Sequence, residues 1–200
     1  MESVSKSLIH SLGVPVEGAE KNILAQAAWI SAFAALTSIG AQIQIPHEPV
    51  PYTMQTFFVL LGGAFLGGRN GSISQLLYLV LGLAGAPVFA GASAGALRLI
   101  GPSGGYLLSF PLAALLVGYL VRQGSGYIWT LSAMFLGLLG IFAMGAGFLN
   151  IFYLHNVEQS IVSGFLIFSW WDLLKLTSAA AIYNEFAKRY RSLPKESESH

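Results

Sequence analysis

Between Asn22 and Tyr183 the only charged side chains are Glu48, Arg69, Arg98, Arg122, Glu158, Asp172 and Lys175. The stretches separating most of them are long and apolar, beginning near Ile23 with one long enough to span a bilayer. A backbone in lipid must satisfy its own polar groups, which leaves helices or a closed barrel, and spans of about 20 residues fit helices. Composition agrees: 54% of residues are hydrophobic and 10% charged, against about 25% charged in soluble domains. Mean hydropathy is +0.65. The chain therefore reads as an all-α integral membrane protein. A net charge of +1 gives no case for nucleic acid as partner. The absence of cysteine excludes a disulfide framework and cysteine-ligated metal, and no cofactor or metal site is expected.

Six helices in one bundle are predicted. The first runs from about Asn22 to Ile45 and is broken by Pro46, Pro49 and Pro51. The second covers Thr53 to Gly68, the third Ser72 to Ala86, with a tight turn at Arg69-Asn70-Gly71. The small-residue segment from Pro87 to Pro102 folds back against the bundle. The fourth starts at Pro102-Ser103 with the proline at its first position and ends near Arg122. The fifth covers Tyr127 to Leu154, and the sixth Gln159 to Arg189, its last turns (Glu185, Lys188, Arg189) in water. Residues 1–21 are mixed polar and do not read as a cleavable signal peptide. The domain reading is a cytoplasmic segment 1–21, a membrane domain 22–190 and a cytoplasmic tail 191–200.

Basic residues orient such a bundle. Lys6, Lys21, Arg69, Arg122, Lys188, Arg189, Arg191 and Lys195 fall on one side, and Arg98 alone on the other. Both termini are therefore expected in the cytoplasm. The localisation expected is a bacterial or archaeal cell (inner) membrane, multi-pass.

Asp172 and Lys175 lie inside an apolar segment, three residues apart and so on one helix face. Each charge at a membrane helix centre costs about 2.5–3.5 kcal/mol on insertion scales, and such residues mark functional sites by default. The pair is read as a ligand site. The competing readings are a structural ion pair between helices, or a lysine reaching for the interface. The rigid Pro49–Thr56 segment, with Tyr52 and Gln55, offers polar groups at a helix start; its plainer reading is a turn with an N-cap. Phe89, Gly91 and Ser93 lie in a loop whose backbone a ligand can approach closely, or which simply connects helices. Tyr106 joins the candidate pocket lining, as do Trp29, Phe33, Tyr153, Trp170 and Trp171, though aromatics also form cores and interfacial belts. On the first helix Ala27, Ser31 and Ala35, and beside them Ala28 and Ala32, recur every fourth residue, a spacing that permits close helix contact within the chain or with a partner.

Gly101-Pro102-Ser103-Gly104 fits the GxSG pattern of intramembrane serine proteases. That chemistry needs a base within hydrogen-bond reach. His10, His47, His155 and His200 all fall outside the predicted spans, so an enzyme is not expected. No Gly-x-x-x-x-Gly-Lys-Ser/Thr loop occurs either, so any ATP that drives transport is hydrolysed on another chain.

Four segments, in order, resemble the BioY family of biotin-binding S-components of energy-coupling factor (ECF) transporters. They are Pro49-Val-Pro-Tyr-Thr-Met-Gln-Thr, Pro87-Val-Phe-Ala-Gly, Gly101-Pro-Ser-Gly-Gly-Tyr-Leu-Leu-Ser-Phe-Pro and Trp171-Asp-Leu-Leu-Lys. The resemblance implies six helices, a biotin site near the outside, and delivery of the vitamin to a transmembrane coupling subunit with two ATP-binding subunits. It places Asp172 and Lys175 on the ligand, and Ala28 and Ala32 against the coupling subunit. Where many members carry an asparagine after helix three, this chain has Gly91, with Ser93 nearby. Biotin suits such a site: a buried carboxylate accepts from ureido N–H groups, an ammonium donates to the ureido carbonyl or the carboxylate, and apolar walls take the bicycle. The alternatives are an S-component for another vitamin, or a standalone facilitator or proton-linked carrier.

Overall fold

The computed structural model describes residues 23–164 and 170–192. The segments 1–22 and 193–200, the middle of the expected sixth helix at 165–169, and the side chains of residues 188–192 lie outside the described residues. In chain order the elements are α1 (Ile23–Gln42), β1 (Gln44–Ile45), β2 (Tyr52–Thr53), α2 (Gln55–Leu83), α3 (Ala96–Ile100), α4 (Gly104–Gln123), α5 (Tyr127–Leu149), α6 (Val157–Gly164) and α7 (Trp170–Ser192). A π-helical turn, Asn150–Leu154, extends α5. Among the described residues, three helical segments, Ile23–Gln42, Gly104–Gln123 and Tyr127–Leu154, are long and apolar enough to cross a membrane.

α1 stops three residues before the predicted Ile45. One carbonyl of its last turn is satisfied from outside the helix: the Met54 N–H donates to Gly40 O at 3.0 Å, and also to Ile43 O, just beyond the helix end, at 3.1 Å. That closure satisfies acceptors a helix end leaves open. It also seats the two-residue antiparallel pairing Gln44↔Thr53 and Ile45↔Tyr52.

α2 is two limbs, 55–66 and 68–83, folded on each other at Gly67. The predicted turn at Arg69-Asn70-Gly71 is therefore misplaced: those three residues are helical. Gly67 has φ 77° and ψ 168°, a region open in practice to glycine alone. One residue thus reverses the chain, and Gly71 returns so close to Gly63 that an added Cβ would lie 2.8 Å from the Gly63 Cα. Asn70, released from the turn, accepts a 2.8 Å bond from Gln26 of α1. Gly67→Ala is expected to cost about 1–3 kcal/mol. The check is thermal unfolding in detergent, with an unchanged midpoint as the contrary result.

Against the outer faces of α2 pack α1 and α4; α5 lies on α4, and α7 bridges α2 and α5. Gly118 of α4 lets the reversal sit flush, since a Cβ there would come within 2.2 Å of the Gly68 nitrogen. α4 begins at Gly104 rather than Pro102; Ser103 is its cap residue without a side-chain cap bond. The predicted connection 87–102 contains the short α3. The predicted third helix ends early, at Leu83.

Candidate functional site

Tyr52, Thr53, Gln55 and Thr56 share one end of the bundle with Phe89, α3, the start of α4, Ile141 and Phe142 of α5, and the first turns of α7. They enclose a cavity of about 700 Å³, its open mouth included. Asp172 and Lys175 line it together with Tyr52, Gln55, Phe89 and Tyr106. Six of the sequence-derived candidates thus converge although 120 residues of chain separate Tyr52 from Asp172.

Lys175 Nζ lies 2.6 Å from Asp172 Oδ1, the two side chains being 4% and 2% exposed. The ammonium also donates to Thr53 O and Thr56 Oγ1, both at 2.9 Å. An ammonium has three donors, and all three are engaged within the chain. A ligand therefore meets the carboxylate of Asp172 and the hydroxyl of Thr56 in a pre-set arrangement, or displaces one of these bonds. The competing reading, a lysine reaching for the interface, does not fit its burial. A tether between helices does fit: Lys175 joins α7 to the strand and helix start at 53–56. Tether and cavity wall are the same residues here.

Tyr52, on β2, packs edge-on against His47 with ring centroids 4.9 Å apart. Gln55 is buried, accepting from Thr53 Oγ1 at 2.8 Å and donating to Tyr78 Oη at 2.6 Å. Phe89 enters the wall over Gly82, where a Cβ would lie 2.0 Å from its ring. It meets Tyr78 edge-on at 5.5 Å. Tyr106 fills a slot left by Gly145 and donates to Gly164 O at 2.6 Å, so its hydroxyl serves the bundle while its ring serves the cavity.

Gly91 and Ser93 do not line the cavity. Ser93 turns inward on its own loop, pairing with the Phe89 backbone and donating to Ala90 O at 2.8 Å. Gln42 clamps that loop by donating to Phe89 O and accepting from Ala92 N. The loop's cavity-lining members are Phe89 and Ala90 instead. Of the other aromatics considered, Trp170 is 72% exposed and Tyr153 bonds Ile100 O outside the cavity. Trp29 and Phe33 pack with the core.

Arg98 of α3 is a wall residue that sequence reasoning did not select. Its signal was available: it is the single basic residue expected on the basic-poor side. Thr53, Thr56, Ser103, Phe110 and Phe142 also line the cavity. Ala28 is exposed and Ala32 half-buried on α1, away from the cavity. No cluster of metal-ligating side chains occurs among the described residues.

Residues 10–192 match the family model described as the BioY family. The chain is 44% identical over 150 residues to the biotin transporter BioY of Thermotoga maritima, covering 75% of this chain and 88% of that one. It is 40% identical over 153 residues to a probable biotin transporter BioY of Pyrococcus horikoshii, with coverages of 76% and 90%. Its fold is similar to that of the S-component for biotin from an ECF-type ABC transporter. The TM-score is 0.76 at 26% identity, over 82% of this chain and 92% of that one. With a family model over nearly the whole chain, and relatives of this similarity and coverage, the chain belongs to the BioY family.

Proposed function

We propose that this chain is the biotin-capturing membrane subunit of an ECF-type uptake system. The observation that carries the reading is the cavity itself: a dehydrated carboxylate–ammonium pair at a wall of aromatic rings, with one further cation, Arg98. Biotin matches it group for group. The ureido N–H groups donate to Asp172, and the ureido oxygen accepts from Thr56 or Lys175. The bicycle and thioether lie against Phe89, Tyr106, Phe110 and Phe142, and the carboxylate meets Arg98. Water exclusion strengthens each polar contact and leaves an unmatched ligand with unpaired buried groups.

Six crossings accompany this reading: α1, the two limbs of α2, α4, α5 and α7, forming a membrane domain over 22–190. The first limb is about 18 Å long at 1.5 Å per residue, so the extended segment 49–54 completes its crossing. Arg122 packs against the reversal at Gly67, which puts Arg69 and Arg122 at the end opposite the cavity. By the positive-inside rule that end is cytoplasmic, both termini with it, and the cavity opens outward. The membrane is the cell (inner) membrane. Ala28 and Ala32 face a transmembrane coupling subunit, which with two ATP-binding subunits supplies the energy.

Calorimetry on the purified chain tests this. One-to-one binding of biotin is expected, uncontested by thiamine, riboflavin or pantothenate; absence of biotin binding refutes it. Arg98→Ala is expected to weaken biotin about 10–100-fold, the scale of a lost hydrogen bond to a charged group. Its effect on biotin methyl ester, which lacks the charge, should be much smaller. Equal losses for acid and ester would remove Arg98 from the carboxylate.

A further inference from the structure

We infer that Tyr78, which lies behind the cavity wall and not on it, is a positioning residue for the binding pair. The inference rests on the biotin-binding reading above. Tyr78 belongs to the second limb of α2 and is fully buried. A tyrosine in such a place normally finds a partner for its hydroxyl, and here the partner is a wall residue: Gln55 Nε2 donates to it at 2.6 Å. Gln55 is thereby held by its far end. The oxygen of the same carboxamide, Oε1, accepts from Thr53 Oγ1 at 2.8 Å, and the Gln55 backbone N–H donates to that hydroxyl oxygen at 3.3 Å. Thr53 is thus fixed by its side chain, and its carbonyl, 2.9 Å from Lys175 Nζ, is one of the three acceptors that aim the ammonium at Asp172.

The series Tyr78–Gln55–Thr53–Lys175–Asp172 runs unbroken from the second limb to α7. Every member is buried, so no water shell is at hand to replace a missing link, and each bond is worth more than at a surface. The ring of Tyr78 supports the wall a second way. It meets Phe89 edge-on at 5.5 Å and stacks on Phe110 at 6.5 Å. Those two rings line the cavity; the hydroxyl alone reaches the polar series. Ring and hydroxyl can therefore be separated by experiment.

Tyr78→Phe keeps the ring and removes the link to Gln55. Without it the carboxamide of Gln55 is free to turn, Thr53 loses its anchor, and the geometry that presents Asp172 is no longer set in advance. Affinity for biotin, read by calorimetry in detergent, is expected to fall about tenfold, the scale set by a buried donor left unsatisfied. Gln55→Leu is expected to fall at least as far. The double variant should bind no more weakly than Gln55→Leu alone, because both substitutions break one series. A packing role predicts instead a lower unfolding temperature with affinity unchanged, or additive losses in the double variant. Either result overturns the inference. Wild-type protein is the control: if it binds biotin while Tyr78→Phe binds equally well, the positioning role fails and the biotin reading stands. If wild type itself does not bind biotin, both fail.

Discussion

Lys175→Met is expected to abolish biotin binding and to destabilise the protein. The substitution removes the ammonium from Asp172, whose side chain is 2% exposed and 2.6 Å from that ammonium. Breaking a buried ion pair from one side costs about 3–5 kcal/mol, because the remaining charge stays desolvated. Asp172→Ala is expected to do the same from the other side, leaving Lys175 with two neutral acceptors, Thr53 O and Thr56 Oγ1. The double variant Asp172→Leu with Lys175→Met separates the two consequences. Replacing a whole buried pair by apolar groups is often neutral or stabilising, so its unfolding midpoint should return towards wild type. Binding should not return, since the acceptor for the ureido N–H groups is gone. Calorimetry and thermal unfolding on the same detergent preparations measure both. Biotin bound with wild-type affinity by either folded single variant would sink the site assignment.

Ala32→Trp is expected to stop coupled uptake while leaving biotin binding intact. α1 carries small residues on a face away from the cavity, with Ala28 exposed and Ala32 half-buried. Such a row lets two helix backbones approach closely, and an indole at its centre holds them apart. Since the cavity is lined by other elements, calorimetric affinity should be unchanged. Uptake of labelled biotin by cells expressing the complete transporter is the measure, with Ala28→Trp as a second variant of the same face. Undiminished uptake in both would mean that this row does not meet the coupling subunit.

The helical segments were legible because a backbone in lipid must satisfy its own polar groups, and apolar runs of about 20 residues fit helices rather than barrel strands. What was not legible was how a helix ends when its terminal groups are satisfied from afar. α1 ends at Gln42, and Met54, twelve residues on, supplies a donor to its last turn. The turn expected at Arg69-Asn70-Gly71 carried the usual polar and glycine signals, yet the chain reverses at Gly67. A single glycine in an extended left-handed conformation is indistinguishable in sequence from the many that serve close packing. Asn70 shows the other half of this: its polarity answers Gln26 on a neighbouring helix, not a turn.

At the site, Asp172 and Lys175 stood out because charge in an apolar run is expensive enough to need a reason. Gly91 and Ser93 drew attention for backbone openness, but their loop closes on itself and on Gln42. In sequence, Arg98 is a lone arginine near a predicted loop, which reads as an orientation signal. α3 carries it to the cavity wall.

The residues alone therefore determined that this chain lives in a membrane, that it is helical, and that one charged pair on its last helix needs a partner. Burial energies act residue by residue and leave a mark in the local sequence. Tertiary structure decided which groups answer that pair. Thr53, Thr56 and, through Gln55, Tyr78 lie roughly 100 residues or more away along the chain. Hydrogen bonds across such a distance depend on where helices are brought side by side, and no local pattern encodes that.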